Sequence, residues 1–455
     1  MIEEPLLYGD MLEAVRQYTK WSWEAHHASD IPVALARAFK VATTPPTGPV
    51  FISLPVDAME ERAELDLPPV TNVARSRLAP DPADIQSAAS VLLAGRNPVI
   101  IAGDGCARCR AVGEVVRLAE TLGATVYTEP LNSLLDFPTG HPQYAGPMFP
   151  NPKQTLAQLE GADVLLILGV NLLAPLVYTG AKMIPDGVRI IQIDVDDREL
   201  GKNYPAEVAI RADIASAASA LLGALTPTMT GSVAEKAAAR RETIVARVSK
   251  VRAHLVENAA PPPDSDGPMS PSFVALEMRA AAASDALLVD ESVTSTAFVR
   301  TLFELNEPNS YFYAKGGSLG LGLPEAVGVK LARPDKQVLC AVGDGSAMYS
   351  IQALWTAARY KIGVVFVVFN NTSYMILKGG LLAMKGASAR QGVFPGMDIT
   401  KPEIDFVKLA ESLGVEGRRV DQAGDLRSAL DWALSGNRPA LLDVRIARDV
   451  RSILR

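Results

Sequence analysis

Gly343-Asp344-Gly345 is followed, after the 24 residues 346 to 369, by Asn370-Asn371, and each group closes an apolar run. Val338 to Val342 (VLCAV) and Val364 to Phe369 (VVFVVF) have the unbroken hydrophobicity of strands covered on both faces. A helix over Ser350 to Tyr360 fits between them. Two parallel strands joined by a helical crossover leave Asp344 and Asn371 at neighbouring carboxyl ends, the edge of an open α/β sheet where ligands bind. Gly343 and Gly345 let the backbone turn tightly and approach a ligand, as a side chain would not.

The residue types narrow that ligand. Mg²⁺ prefers octahedral oxygen ligation, with one or two protein oxygens completed by phosphates and water. Asp344, Asn371 and a carbonyl near Ser373 form such a set. Gly-Asp-Gly alone is common; with a helix, a strand and Asn-Asn at this spacing it is restrictive, although an ordinary strand-turn-helix remains the alternative. A second glycine-dense segment, Lys315-Gly-Gly-Ser-Leu-Gly-Leu-Gly-Leu-Pro324, precedes an expected helix over Glu325 to Leu331 and places backbone groups near a helix N-terminus. Without further context Leu319 reads as a core leucine after a flexible loop.

A chain of 455 residues suits two or three domains. Hydrophobic residues make up 48% and charged residues 21%, the balance of an ordinary globular protein, and a net charge of -7 argues against nucleic acid or an anionic membrane as partner. The longest strong apolar run, Ile362 to Phe369, falls well short of the ~20 residues of a membrane helix. Met1-Ile-Glu-Glu-Pro5 lacks the basic and apolar regions of a signal peptide, so a cytoplasmic location is expected. Three cysteines argue against a disulfide framework, and Cys106-Ala-Arg-Cys109 without a second pair does not make a Cys₄ zinc site; a redox role is the remaining reading of that pair.

Along the chain, residues 1–67 hold a helix over Pro32 to Thr43, a Pro45-Pro46 turn and a strand over Val50 to Leu54. Pro68-Pro69 and Pro80-Asp81-Pro82 bracket an extended linker. Residues 81–225 repeat the α/β alternation, with helices over Ala83 to Ala94 and Ala111 to Leu122 and strands over Pro98 to Ala102, Val164 to Leu168 and Ile190 to Ile193. Residues 226–270, a charged helix over Ala234 to Glu257 and a proline-rich run over Pro261 to Pro268, read as a connection. Residues 271–455 form a third α/β unit closed by a strand over Ala440 to Arg445. Gly103-Asp104-Gly105 suggests a dinucleotide-binding turn, but Arg108 stands where that fingerprint wants Gly or Ala, which favours a structural role.

The Gly-Asp-Gly and Asn-Asn arrangement resembles the cofactor site of the thiamine diphosphate (ThDP) enzymes, the family of acetolactate synthases, pyruvate decarboxylases and benzoylformate decarboxylases. The likeness covers essentially the whole chain. Lys20-Trp-Ser-Trp23, Thr47 to Pro55, Phe137 to Pro142, Glu291-Ser292 with Thr294-Ser-Thr296, and Gly343 to Ala358 look closest to benzoylformate decarboxylases. The resemblance implies an α/β fold of three doubly wound parallel-sheet domains: pyrimidine-binding (1–67), central (81–225) and diphosphate-binding (271–455). It implies ThDP and Mg²⁺ as cofactors, a homo-oligomer (dimer or tetramer), and a small 2-oxo acid as substrate, decarboxylated to an aldehyde or, as in acetolactate synthases, joined to a second carbonyl compound. Cofactor contacts fall on Thr294, Gly317, Leu319, Gly343, Asp344, Gly345, Ser346, Asn371, Ser373, Tyr374 and Met375, with Asp344, Asn371 and Ser373 at the metal. Gly317 would offer its carbonyl to the 4'-amino group and Leu319 would wedge between the two rings.

Two departures qualify the likeness. The loop Thr372 to Leu377 lacks the Gly-Met-Val type of segment found in acetolactate synthases, and the chain runs on only about ten residues past its last strand. Residues 1–67 match the second half of a pyrimidine-binding domain; the half that in the family brings the glutamate at N1', and in benzoylformate decarboxylases a serine and a histidine, has no counterpart. The first domain is therefore expected to be incomplete, with an inactive fragment as an alternative to an enzyme.

Proton transfer calls for a group titrating near neutrality. His141, in Phe137-Pro-Thr-Gly-His-Pro142, matches a histidine that the resemblance places at the reacting centre; capping of a turn is the other reading. His26 and His27 fall in a polar segment and His254 on the charged helix, both surface positions. Tyr349, Tyr374 and Phe394 are candidates to line an aryl pocket walled by Met375, Ile376 and Leu377, or else ordinary core residues.

Overall fold

Strands that are apolar on both faces, separated by helices, assemble into two six-stranded sheets in which every pairing is parallel. The computed structural model describes residues 6, 8–65, 67, 77–171, 173–175, 178, 180–259 and 267–448. The Pro68-Pro69 linker and most of the proline-rich run, 261–266, lie outside the described residues. The chain divides into two units, one of residues 1–79 with Val195–Arg198, the other of Pro80–Asp194 and Glu199–Arg455.

In the first unit β1 (Trp21–Glu24) pairs in parallel with β2 (Val50–Ser53) across the helix Ile31–Thr43. The strand Trp21–Glu24 was not apparent in the sequence, because its alternating aromatic and polar residues lack an apolar run. His26 and His27 are exposed here.

The second unit holds both large sheets. The first contains β3 (Pro98–Ala102), β4 (Thr125–Thr128), β5 (Tyr144–Pro147), β6 (Val164–Leu168), β7 (Arg189–Asp194) and β8 (Val208–Arg211), in the order β5-β4-β3-β6-β7-β8. The second contains β9 (Leu287–Glu291), β10 (Tyr311–Tyr313), β11 (Val338–Gly343), β12 (Val365–Asn370), β13 (Glu416–Val420) and β14 (Ala440–Arg445), in the order β10-β9-β11-β12-β14-β13. Each sheet grows outward from its first strand to one side and then restarts on the other. The strand order therefore reverses between β3 and β6 in one and between β9 and β11 in the other, and a crevice opens beyond the carboxyl ends at each reversal.

The helices follow the apolar spacing with local corrections. Val112–Leu122 buries Val112, Val115, Leu118, Ala119 and Leu122, one face of a 3.6-residue repeat, and stops at Gly123 in the left-handed conformation, φ +58°. A side chain at Gly123 would collide with the carbonyl of Ala237. Ala237 belongs to a 29-residue helix, Gly231–Ala259, which occupies most of the segment read as a connection and buries Ala237, Ile244 and Val248. His254 is exposed on it, hydrogen-bonded to Asn258. The expected helix Ala111 to Leu122 is preceded by a short one, Asp104–Arg108, and the expected helix Ser350 to Tyr360 is confined to Ala353–Arg359 after a turn at Asp344–Ala347. No described helix is long and apolar enough to cross a membrane.

Candidate functional site

The reversal between β9 and β11 brings together Glu291, Gly343 and the residues that follow them, since Val342 lies opposite Glu291 and Gly343 opposite Phe369. Asp344 opens the turn after β11 and is buried at 4% exposure. Its Oδ1 accepts from the Gly345 N–H at 2.7 Å, while its buried Oδ2 has no hydrogen-bond partner. A buried carboxylate oxygen without a donor is costly. Burial pushes the Asp344 carboxyl up to about 6, even though backbone N–H groups of Gly345, Thr372, Ser373 and Asn371 face it and draw it down. Those neighbours show that the fold gathers Asp344 with the Asn371–Ser373 loop.

That loop is held from below. Asn370 donates to Asp443 Oδ1 at 2.7 Å and accepts from the Thr372 N–H at 3.1 Å. Asn371 Oδ1 accepts from the Ser373 N–H at 2.9 Å, and the Asn371 carbonyl accepts from Arg448 Nε at 3.0 Å. Thr372 takes φ +51°, and the Ser373 hydroxyl donates to the Met397 carbonyl at 2.8 Å. The unpartnered Asp344 oxygen, with the Asn371–Ser373 backbone beside it, fits a hard divalent cation, and an ion there would supply the missing partner. Ser346 is buried in the same turn, and a side chain at Gly345 would stand 2.8 Å from the Tyr374 ring. Met375, Ile376 and Leu377 begin the helix Met375–Met384 instead of a loop, with Met375 buried and the other two exposed.

Across the crevice, the glycine-rich segment joins β10 to the helix Gly322–Ala332. Gly316, Gly317 and Gly320 have φ of +104°, +75° and +92°, values that L side chains rarely adopt. Nothing lies within 4 Å of a side chain built on Gly316 or Gly317, so the backbone here faces open space. Leu319 is 41% exposed, which removes the core-leucine reading within this chain. Thr294, in the turn Val293–Ser295 after β9, is half-buried.

Glu291 was not singled out as a site residue. It closes β9, and its carboxylate accepts from the N–H groups of Gly320 and Gly322, the latter at 2.6 Å, at the start of the helix Gly322–Ala332. The signal was present as a glutamate ending an apolar run. The sequence does not mark Lys315 either. Its ammonium reaches Asp104 at 2.9 Å, Glu129 at 2.6 Å and Asn171 at 3.3 Å, in the crevice of the other sheet. Asp104, Glu129 and Asp136 are the one trio of acidic or metal-ligating side chains among the described residues close enough to share an ion, and Lys315 meets two of them.

The structure does not bring His141 to this group. Thr139 and Gly140 bond to Leu305 and Asn306, in the segment that leads into the start of β10, so His141 lies toward the amino ends of that sheet. Its Nδ1 accepts from the Gln143 N–H at 3.2 Å, its Nε2 is 3.5 Å from Glu120, and its ring meets Phe137 edge-on at 5.1 Å. This is the turn-capping arrangement. Burial lowers its pKa, partly offset by Glu120. Tyr349 lies beside Gly320 and Tyr374 beside Gly345, both partly exposed, whereas the Phe394 ring centroid lies 5.9 Å from the Lys378 ammonium.

Comparison with known proteins identifies the family. Residues 292–444 match the C-terminal TPP binding domain of thiamine pyrophosphate enzymes, and residues 85–221 match their central domain. A benzoylformate decarboxylase of Pseudomonas aeruginosa is 32% identical over 97% of this chain and 79% of its own. An acetolactate synthase large subunit of Escherichia coli is 28% identical over 94% of this chain and 72% of its own. Among solved structures, a 4-hydroxybenzoylformate decarboxylase of Rhodococcus jostii superposes with a TM-score of 0.81 at 31% identity, covering 97% of this chain and 79% of that one. A benzoylformate decarboxylase of Polynucleobacter necessarius gives 0.82 at 25% identity, covering 98% and 80%.

Proposed function

The chain belongs to the thiamine pyrophosphate enzyme family, and on that footing we propose that it is a Mg²⁺-dependent decarboxylase of aryl or branched 2-oxo acids, acting as a homo-oligomer. The observation that carries the cofactor placement is the buried, unpartnered Oδ2 of Asp344 at the carboxyl end of β11, beside the reversal between β9 and β11. When bound, ThDP supplies a carbon nucleophile and an electron sink for loss of CO₂ from a 2-oxo acid.

The chain's own residues supply binding and orientation. Asp344, Asn371 and the backbone at Ser373 would hold Mg²⁺, which would supply positive charge for the diphosphate. Gly343, Gly345 and Ser346 keep the turn close to the phosphates. Gly317 and Leu319 receive the aminopyrimidine, with Glu291 fixing the far end of their loop through its bonds to Gly320 and Gly322. Thr294, Tyr374 and Met375 border the cofactor. Tyr349 and Tyr374 favour a planar aryl substituent over the methyl group of pyruvate.

The test is incubation of the purified protein with ThDP, Mg²⁺ and a panel of 2-oxo acids, following CO₂ and product together. Aldehyde from arylglyoxylates, with little turnover of pyruvate, is the expected result. A 2-hydroxy ketone formed from pyruvate would move the assignment to the carboligases, the reading favoured by the likeness to acetolactate synthases.

A further inference from the structure

We propose that Lys315 is a positioning residue, an ionic latch that seats in the crevice of the central sheet and thereby holds the Gly316–Leu319 backbone in the shape that receives the aminopyrimidine. The proposal rests on the reading above that this loop is the pyrimidine-binding segment.

The geometry is unusual for an interdomain ion pair, because the lysine fills the place where a sheet of this kind takes its ligand. Asp104 follows β3, Glu129 follows β4 and Asn171 lies just beyond β6, so the three partners of Lys315 are the carboxyl-end residues around the reversal between β3 and β6. Gly103 and Gly105 press on Gly169 so closely that no side chain fits between them, which narrows that crevice to a slot. Asp104 is further tied by the Ser133 N–H at 2.7 Å and the Ser133 hydroxyl at 2.5 Å, and Glu129 Oε1 accepts from the Asp104 N–H at 2.9 Å. The receiving carboxylates are fully buried and hydrogen-bonded to other groups besides the lysine.

The lysine is in turn bound strongly. Burial works against its ammonium, yet the charges of Glu129 and Asp104 together raise its pKa above the ordinary value. Burial raises the Glu129 carboxyl, and Lys315 offsets part of that. Asp136, fully buried beside them, is raised well above the usual range by burial and by the Asp104 and Glu129 charges. Arg108 stands 3.6 Å from Asp104, and Arg300 hydrogen-bonds to the Glu129 carbonyl and its neighbours.

Between Lys315 and the Glu291 anchor at Gly320 and Gly322, the loop has little packing of its own. Gly316 and Gly317 touch nothing through their Cβ directions, and Leu319 is half-exposed. A segment with two adjacent positive-φ glycines samples many conformations unless its ends are pinned. The apparent affinity for a ligand falls in proportion to the fraction of time the receptive shape is populated. If release of one end lowers that fraction to between a tenth and a hundredth, ThDP binds roughly 10- to 100-fold more weakly. Inorganic pyrophosphate with Mg²⁺, which needs only Asp344, Asn371 and their turns, keeps its affinity.

The experiment uses the full 455-residue chain. Lys315→Met is compared with the triple variant Lys315→Met/Asp104→Asn/Glu129→Gln, which removes the two carboxylates that Lys315 meets and serves should the single variant fail to fold. Three quantities are measured: ThDP affinity with Mg²⁺, pyrophosphate affinity with Mg²⁺, and hydrogen exchange of the 316–320 amides without cofactor. The latch predicts a roughly 10- to 100-fold loss for ThDP, an unchanged pyrophosphate affinity and faster exchange of the loop in both variants. Recovery of wild-type ThDP affinity and loop protection in the triple variant would overturn it, because Lys315 would then only neutralise buried charge. Failure of the underlying site reading looks different: wild-type protein would bind neither probe, Asp344→Ala would change nothing, and the exchange arm would still judge the latch.

Discussion

The two six-stranded sheets share a topology and reach opposite outcomes at the same place. Each reverses its strand order and opens a crevice at its carboxyl ends. In the central sheet that crevice is closed: Gly103 and Gly105 pack against Gly169, and Lys315 fills what remains between Asp104, Glu129 and Asn171. In the other sheet the turn after β11 leaves a buried Asp344 oxygen without a partner, and the glycines Gly316 and Gly317 face empty space. Topology provides a place for a ligand; the local residues decide whether the protein fills that place itself. A Gly-Asp-Gly turn occurs in both, at 103–105 and at 343–345, so the triplet does not discriminate. The state of the aspartate does. Asp104 is satisfied by Ser133, Leu134 and Lys315, whereas Asp344 keeps an oxygen without a donor.

The sharpest way to break the comparison is to remove the unsatisfied carboxylate. Asp344→Ala should lower affinity for ThDP with Mg²⁺ by about 100-fold or more, and Asn371→Ala by less, because the neutral amide oxygen is the weaker ligand. Titration of protein fluorescence reads both. Equal affinity in wild type and both variants would show that the open crevice is not the cofactor site.

A substitution in the closed crevice acts on stability instead. In Gly103→Ala the new side chain meets the Gly169 carbonyl and stands 2.7 Å from Val170 Cα, backbone that moves only if the sheet edge moves. A loss of about 3 kcal/mol in unfolding free energy is expected. In Gly317→Ala nothing is struck, and only the positive φ is penalised, at about 1 kcal/mol. Denaturant titration separates them, and equal costs would remove the distinction between a packed and an empty crevice.

The open crevice also carries a cost that the protein bears without its cofactor. Asp344 titrates at about 6 in the folded chain against an ordinary 3.8. Between those values the folded state holds a proton that the unfolded state has released, so this group's contribution to stability falls as pH rises from about 4 to 6 and stays low above that. Asp344→Asn abolishes this slope and should stabilise the cofactor-free chain at pH 7 by about 2 kcal/mol while it weakens binding of ThDP. Thermal unfolding at pH 5 and pH 7 checks it, and a variant less stable than wild type at pH 7 would mean that Oδ2 finds compensation the fold does not show.

Much of this was legible in the residues because it rests on short-range chemistry. The strands Pro98–Ala102, Val164–Leu168 and Ala440–Arg445 are apolar runs bounded by breakers, and the sequence places them to the residue. Glu416–Val420 (EGRRV) carries two arginines and lies at a sheet edge, where exposed positions leave no hydrophobic signature. Asp344 and Asn371 were visible because their spacing encodes a strand, a helix and a strand. Lys315 was not, for its partners lie 211 and 186 residues away and only the folded sheets bring them together. The 29-residue helix Gly231–Ala259 was read as a connection because its charged surface hides the face that docks on Leu122, Thr125 and Thr139.

His141 tests how far resemblance extends beyond geometry, and it carries the smallest expected effect. Its motif suggests a proton-transfer group, yet both ring nitrogens are engaged away from the crevice: Nδ1 accepts from the Gln143 N–H, and Nε2 faces Glu120. The side chain is 14% exposed, burial keeps its pKa below the usual histidine value, and Nδ1 acts as an acceptor in a turn. The His141 carbonyl, with those of Thr139 and Gly140, accepts from the Arg252 guanidinium, and these bonds survive truncation of the ring. His141→Ala should therefore cost no more than about 1 kcal/mol of stability, through the lost turn cap and the contact with Phe137, and change turnover less than about threefold. Measured on the active protein, a fall of roughly 10²–10⁴ in turnover with an altered pH profile and unchanged ThDP affinity would mark a general acid or base. That outcome would require the His141 turn to open and deliver the ring to a reacting centre that this arrangement of the chain does not bring near it.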